Sequence, residues 1–166
     1  MPPAEIQQRQ SADELVVRRS GRRMELMMTS HPSILRPARL ALEGFARESG
    51  MEQESAEKIG LVLNEALANV MRHGYDGAAE KPIVVTFDRH GEGDEAEIEV
   101  TIRDWGKPFD PGELPTAPPP DPDRIMPGGL GLLCMRQMMD KVTFTRLADG
   151  MLLTMVKKVG KVGASS

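Results

Sequence analysis

Glu65 and Asn69 stand four positions apart in Asn64-Glu65-Ala66-Leu67-Ala68-Asn69, the spacing of neighbours on one face of a helix. A carboxylate there can take the proton of an attacking hydroxyl, and an amide oxygen can ligate a hard cation that prefers oxygen donors. Asp104 closes an alternating apolar run and is followed by Trp105 and Gly106. Its carboxylate can accept from the exocyclic amino group of adenine, and a glycine two residues on lets a flat base approach the backbone. Gly128-Gly129-Leu130-Gly131 precedes a further apolar stretch. Glycines at the start of a helix leave its free N–H groups, and the positive end of its dipole, open to phosphate. None of these segments is specific alone. In this order they supply a base, a magnesium ligand, an adenine acceptor and a phosphate cradle, the equipment for moving the γ-phosphate of ATP.

Each segment also has a plainer reading. Lys58, Glu65, Asn69 and Arg72 can form a solvated helix stripe. Against this, Leu61, Val62 and Ala68 flank the acid and the amide, as in a partly covered cleft. Asp104 can simply open a turn, although it shares the parity of Ala96, Ile98, Val100 and Ile102 and so points inward with them. The glycines can be a hinge. They match neither a dinucleotide fingerprint nor a P-loop, so those two readings lack their motif.

The elements that must position these residues follow from periodicity and turn chemistry. Leu15-Val16-Val17 and Met24-Glu25-Leu26-Met27 flank Ser20-Gly21 as a hairpin. Ile34 to Ser49 spaces Leu35, Ala38, Leu42 and Phe45 at helical intervals. A longer helix, with Ser55 as its expected cap, runs to about Arg72, where His73-Gly74-Tyr75-Asp76-Gly77 ends it. Pro82 to Arg89 and Glu95 to Asp104 read as strands around a glycine-containing turn. From Gly106 to Pro127 the chain is rich in proline and poor in hydrophobes, which predicts an irregular loop of functional length, read as a lid. Gly129 to Asp140 reads as a third helix. Val142 to Leu147 and Met151 to Lys157 form a hairpin turned at Asp149-Gly150, with Lys158 onward as a frayed tail.

Composition bounds the function. The chain has 166 residues and a formal net charge of -4, which favours one domain and gives no basic stripe for a nucleic-acid backbone. Met1-Pro2-Pro3-Ala4-Glu5 is not a secretory signal, and no apolar run approaches the ~20 residues that cross a bilayer, so a cytoplasmic protein away from membranes is expected. The single Cys134 lies among apolar residues and is read as a small hydrophobe. His31, His73 and His90 are the only histidines; none has metal-ligand spacing to a second histidine or cysteine, which disfavours zinc. Met24, Met27 and Met28 are read as core filling.

The segments Asn64 to Tyr75, Asp104 to Pro111, Gly128 to Leu132 and Met138 to Val142 resemble, in order, the nucleotide boxes of the anti-sigma-factor serine/threonine kinases of the GHKL superfamily. The resemblance spans about residues 12 to 158. It implies an α/β fold, a two-layer α/β sandwich of the Bergerat type with helices over a mixed sheet, at 12–158; residues 1–11, where Ile6 is the only large apolar residue after Met1, are expected to be a disordered tail, and 159–166 a short tail. It further implies ATP and Mg2+ as cofactors. Asn69 would be the magnesium ligand, Glu65 the catalytic base and Asp104 the adenine acceptor. Gly106, Gly128, Gly129 and Gly131 would shape the pocket. Arg124, the only arginine of the lid, would neutralise charge on the γ-phosphate. The function implied is phosphorylation of a small antagonist (anti-anti-sigma) protein, with exchange for a sigma factor, by a homodimeric kinase. The alternative is a nucleotide-gated binding module without phosphotransfer. Glu65 discriminates from histidine kinases, whose phosphoacceptor helix has no counterpart in this sequence. Trp105 and the proline content of the lid depart from the family pattern.

Overall fold

The computed structural model describes residue 2, residues 14–114 and residues 129–160. Strand β1 (Leu15–Ser20) and strand β2 (Arg23–Thr29) form the first hairpin. A short 3-10 turn at Pro32–Ile34 leads into helix α1 (Leu35–Glu48), and helix α2 (Gln53–Asn69) follows. Strands β3 (Pro82–His90) and β4 (Glu97–Asp104) form the centre of the sheet. Helix α3 (Gly129–Met138) precedes the closing hairpin of β5 (Lys141–Leu147) and β6 (Gly150–Lys158). The six strands lie in the order β1-β2-β3-β4-β6-β5.

Every pairing in this sheet is antiparallel, which corrects the expected mixed sheet while leaving the two-layer sandwich intact. The reason is topological. Two helices separate β2 from β3 and return the chain in the opposite sense, and β1-β2, β3-β4 and β5-β6 are joined by hairpins. After β4 the chain crosses to the outer position of β5, in the direction of β4 but one place removed. β6 then turns back between the two and is antiparallel to both.

The core lies between one sheet face and the helices. Leu26, Met28, Ile83, Val85, Phe87, Ile98, Val100 and Ile102 meet Leu42, Phe45, Ile59, Leu63 and Leu67, all buried. Each such aliphatic or aromatic side chain contributes roughly 1.5–3 kcal/mol by leaving water. The Phe45 and Phe87 rings are tilted against each other at 5.7 Å between centroids, which joins α1 to β3. Met27 and Met28 are buried and Met24 packs against the core, so these methionines fill space as their flexibility allows. Cys134 is half-buried.

Several local expectations change. Helix α2 starts at Gln53, two residues before Ser55, after an extended Glu52 with no side-chain cap bond; Ser55 lies in the first turn. Lys158 and Val159, expected in a frayed tail, are held. The Lys158 N–H donates to Asp140 Oδ2 at 2.7 Å, the Val159 N–H donates to the Ala96 carbonyl at 2.9 Å, and Val159 is buried. The proline-rich loop is described to Leu114 and contains a 3-10 turn at Pro111–Glu113, capped by Asp110 Oδ1 accepting from the Gly112 N–H at 2.9 Å. The remainder of the expected lid, residues 115–127, and most of the expected N-terminal tail lie outside the described residues. Among the described residues no helix is long and apolar enough to cross a membrane.

Candidate active site

Helix α2 buries Ala56, Ile59, Leu63, Ala66 and Leu67 against the sheet. That fixes Glu65 and Asn69, about 40° apart at ~100° per residue, on the side turned from the core, where both are half-exposed. The first turn of α3 comes down on them. A methyl group built on Gly131 would stand 3.2 Å from Glu65 Oε2 and 3.4 Å from Asn69 Nδ2, so at Gly131 the α3 backbone lies next to the acid and the amide. This is the juxtaposition expected of a base, a cation ligand and a helix N-terminus. It favours the cleft over the solvated stripe. Arg72, one turn on, donates from Nη2 to Asn69 Oδ1 at 2.9 Å.

Past Asn69 the helix widens into a π-turn over Val70–Gly74, closed by the Tyr75 N–H donating to the Val70 carbonyl at 3.0 Å. Such wide turns inside helices recur at functional sites. The Gly74 carbonyl accepts from the Lys107 N–H at 2.7 Å, and this draws the exit of β4 against the end of α2. Gly106 is required here for a different reason from the one expected. A Cβ at Gly106 would lie 2.5 Å from the Gly74 carbonyl oxygen and 2.7 Å from its carbon, so the neighbouring main chain, as well as any ligand, demands the glycine. On the other side Gly150 closes the hairpin against β4: a Cβ there would meet the Asp104 carbonyl carbon at 2.9 Å.

Asp104 ends β4 on its inward face, as parity predicts, and is only 4% exposed. Oδ1 accepts from the Gly106 N–H at 2.9 Å. Burial pushes its carboxyl above the ordinary carboxylate range, opposed by the Gly106 N–H, the charge of Arg103 and the Met151 N–H. A buried carboxylate with spare acceptor capacity is suited to a ligand that brings donors. Trp105, of opposite parity, turns to the far side of the sheet. There the Arg103 guanidinium stacks over its ring at 4.3 Å and reaches Asp149 Oδ1 at 2.5 Å. The bulk of Trp105 therefore does not enter the Asp104 side.

Asn69 and Glu65 offer hard oxygen donors of the kind magnesium takes. Among the described residues no three acidic, histidine or cysteine side chains gather into a metal cage. Asn69 Oδ1, which accepts the Arg72 hydrogen bond, has a second lone pair with which it would meet a cation. Of the other expected residues, Gly129 opens α3, whereas Arg124 and Gly128 lie outside the described residues. Sequence reasoning missed Gly74 as a contact, Tyr75 and Gly150. Gly74 and Gly150 were legible only as turn formers, because the main chain each one accommodates is distant in sequence. Tyr75 had one available signal, a bulky side chain directly after a helix-ending glycine.

Comparison with known proteins decides the family. A model described as the histidine kinase-like ATPase domain matches residues 28–157. The chain belongs to the histidine kinase-like ATPases. ATP is accordingly its nucleotide. Among relatives of this ATPase, the serine-protein kinase RsbW of Oceanobacillus iheyensis is 27% identical over 143 residues, 83% of this chain and 87% of the relative. RsbW of Bacillus velezensis is 28% identical over 72% of this chain and 75% of the relative. RsbW of Staphylococcus aureus is 29% identical over 74% and 78%. A crystal structure of the RsbU and RsbW domains of a Mycobacterium tuberculosis protein superposes with a TM-score of 0.60 at 16% identity. It covers 87% of this chain and 36% of that one, and establishes the shared fold.

Proposed function

We propose that this chain is an ATP-dependent serine/threonine protein kinase of the anti-sigma type, which phosphorylates a small antagonist protein and thereby exchanges it for a sigma factor. The observation that carries the reading is the contact of Glu65 and Asn69 with the first turn of α3 at Gly131, on a chain similar over most of its length to proteins named serine-protein kinases. Asp104 holds the adenine amino group. The N–H groups at the start of α3, around Gly128, Gly129 and Gly131, receive phosphate oxygens. Glu65 takes the proton of the acceptor serine as its oxygen bonds to the γ-phosphorus, and the bond from that phosphorus to the β-γ bridging oxygen breaks to leave ADP. Asn69 would hold the metal through its amide oxygen. Magnesium, when bound, would neutralise the charge gathering on the phosphate oxygens. Arg124 adds positive charge on the γ-phosphate. A phosphoserine carries about -1.5 to -2 charges at neutral pH, enough to break a packed interface and release the antagonist. The working unit is taken as a homodimer acting in the cytoplasm.

A binding module without transfer would keep Asp104 and the α3 N-terminus but has no use for a carboxylate at position 65. The test is incubation with γ-labelled ATP, magnesium and candidate antagonists from the same genome. Label on an antagonist serine supports the kinase. Nucleotide-dependent capture of antagonist or sigma factor without label would establish the binding module instead.

A further inference from the structure

We propose that the Tyr75 hydroxyl is a positioning group of the nucleotide pocket, setting its adenine end by bridging the Pro82 carbonyl and the Trp105 amide. This rests on the reading of Asp104 as the adenine acceptor. The register of β3 and β4 pairs Ile83 with Asp104, so the next pair along would be Pro82 and Trp105. Instead of meeting directly, these two groups are joined through the phenol. The Trp105 N–H donates to Tyr75 Oη at 2.9 Å, and the Tyr75 O–H donates to the Pro82 carbonyl. The hydroxyl takes the place of a ladder rung and wedges β4 away from β3 immediately after Asp104. The diverging chain then meets the end of α2, where Lys107 bonds to the Gly74 carbonyl.

Two features make this more than core packing. Tyr75 is 8% exposed and its ring belongs to the core, which a phenylalanine would serve as well. The hydroxyl joins Pro82, the first residue of β3, to Trp105, the residue that directly follows Asp104 at the end of β4. Its proton is secure, because burial raises Tyr75 to about 12, so the direction of both bonds holds across the physiological range. The π-turn that delivers Tyr75 starts at the residue after Asn69. One short segment thus sets both the cation ligand and the strand exit that carries the adenine acceptor.

Tyr75→Phe removes one oxygen and keeps the ring. Calorimetry with ATP and GTP should show ATP affinity falling about tenfold, the scale of a buried hydrogen-bond pair lost, and discrimination between the two nucleotides shrinking with it. Ile59→Val, a core change on α2 away from the strand exit, should lower the melting temperature without altering either affinity. If Tyr75→Phe loses melting temperature but binds ATP and GTP as wild type does, the hydroxyl is only structural and the inference fails. A wild type that binds neither nucleotide overturns the nucleotide reading and this inference together. Should the variant not fold, amide exchange in the wild type decides. A slow Trp105 N–H that ATP slows further supports the bridge, and an N–H exchanging at the rate of an open loop overturns it.

Discussion

At the exit of β4, Asp104 is buried and the Gly106 backbone lies against the Gly74 carbonyl. At the C-terminal half of α2, Glu65 and Asn69 are half-exposed and meet α3 at Gly131, and Asn69 accepts from the long side chain of Arg72. The first region is made of main chain locked to main chain. The second is made of side chains facing a cleft. Base recognition gains from rigidity, because every group ordered in advance is one that binding need not order. Phosphoryl transfer needs a metal, an incoming hydroxyl and a departing diphosphate to pass through one place, and a sealed site would exclude them. On the roles proposed above, the difference would separate affinity, at the β4 exit, from chemistry, on α2.

The largest break in that separation is sought at Glu65. Glu65→Gln should lower transfer to antagonist by ~100-fold or more, the scale of losing a general base, while ATP affinity stays at the wild-type value. Assaying label transfer and calorimetric affinity on one preparation checks both halves.

Asp104→Asn should cost ~1.5–3 kcal/mol of ATP affinity, the worth of a charged hydrogen-bond acceptor, and leave GTP little changed. The same position carries a sign that stability can read. Because folding raises the Asp104 carboxyl, its contribution to stability is fully present below the unfolded value and is lost as pH rises through the folded one. Ionised Asp104 is therefore a burden on the nucleotide-free protein at pH 7, and Asp104→Asn should melt no lower than wild type there. ATP affinity of the wild type should decline on acidification, starting above the ordinary carboxylate range. Melting scans and titrations from pH 4 to 8 test both signs.

A pair of glycine changes sharpens the contrast between the regions. Gly106→Ala drives a methyl into a peptide carbonyl at 2.5 Å, and should cost about 1–3 kcal/mol of stability as well as ATP binding. Gly131→Ala meets only side-chain atoms at 3.2 Å and 3.4 Å; it should melt nearly as wild type and act mainly on transfer. The smallest effect is expected at Arg72. Arg72→Ala frees Asn69 Oδ1 from an exposed hydrogen bond, and magnesium-dependent ATP affinity should rise by no more than about threefold.

The two regions were unequally legible in the sequence. Period and parity located the α2 pair and the inward Asp104, since both depend on local geometry that 3.6-residue and two-residue repeats dictate. The antiparallel course of the sheet was not legible, because it follows from where β5 lands after the loop. The rigidity of the β4 exit was hidden for a related reason. Gly74, Gly106 and Gly150 meet the partners that explain them only across long sequence separations, and the Tyr75 bridge links residues 75, 82 and 105. Ser55 shows the reverse error: a good capping residue is present, yet helix α2 begins earlier, at Gln53, with Ala56 and Ile59 buried in its first turns.

Single-turnover transfer of γ-labelled phosphate to the acceptor serine, followed against ATP concentration for wild type, Glu65→Gln and Asp104→Asn, tests the separation most directly. Glu65→Gln should lower the plateau at unchanged half-saturation, and Asp104→Asn should move half-saturation to higher ATP with the plateau retained. A Glu65→Gln plateau equal to wild type, or an Asp104→Asn curve lowered in plateau but unmoved in half-saturation, would contradict the division of the pocket into a binding end and a reacting end.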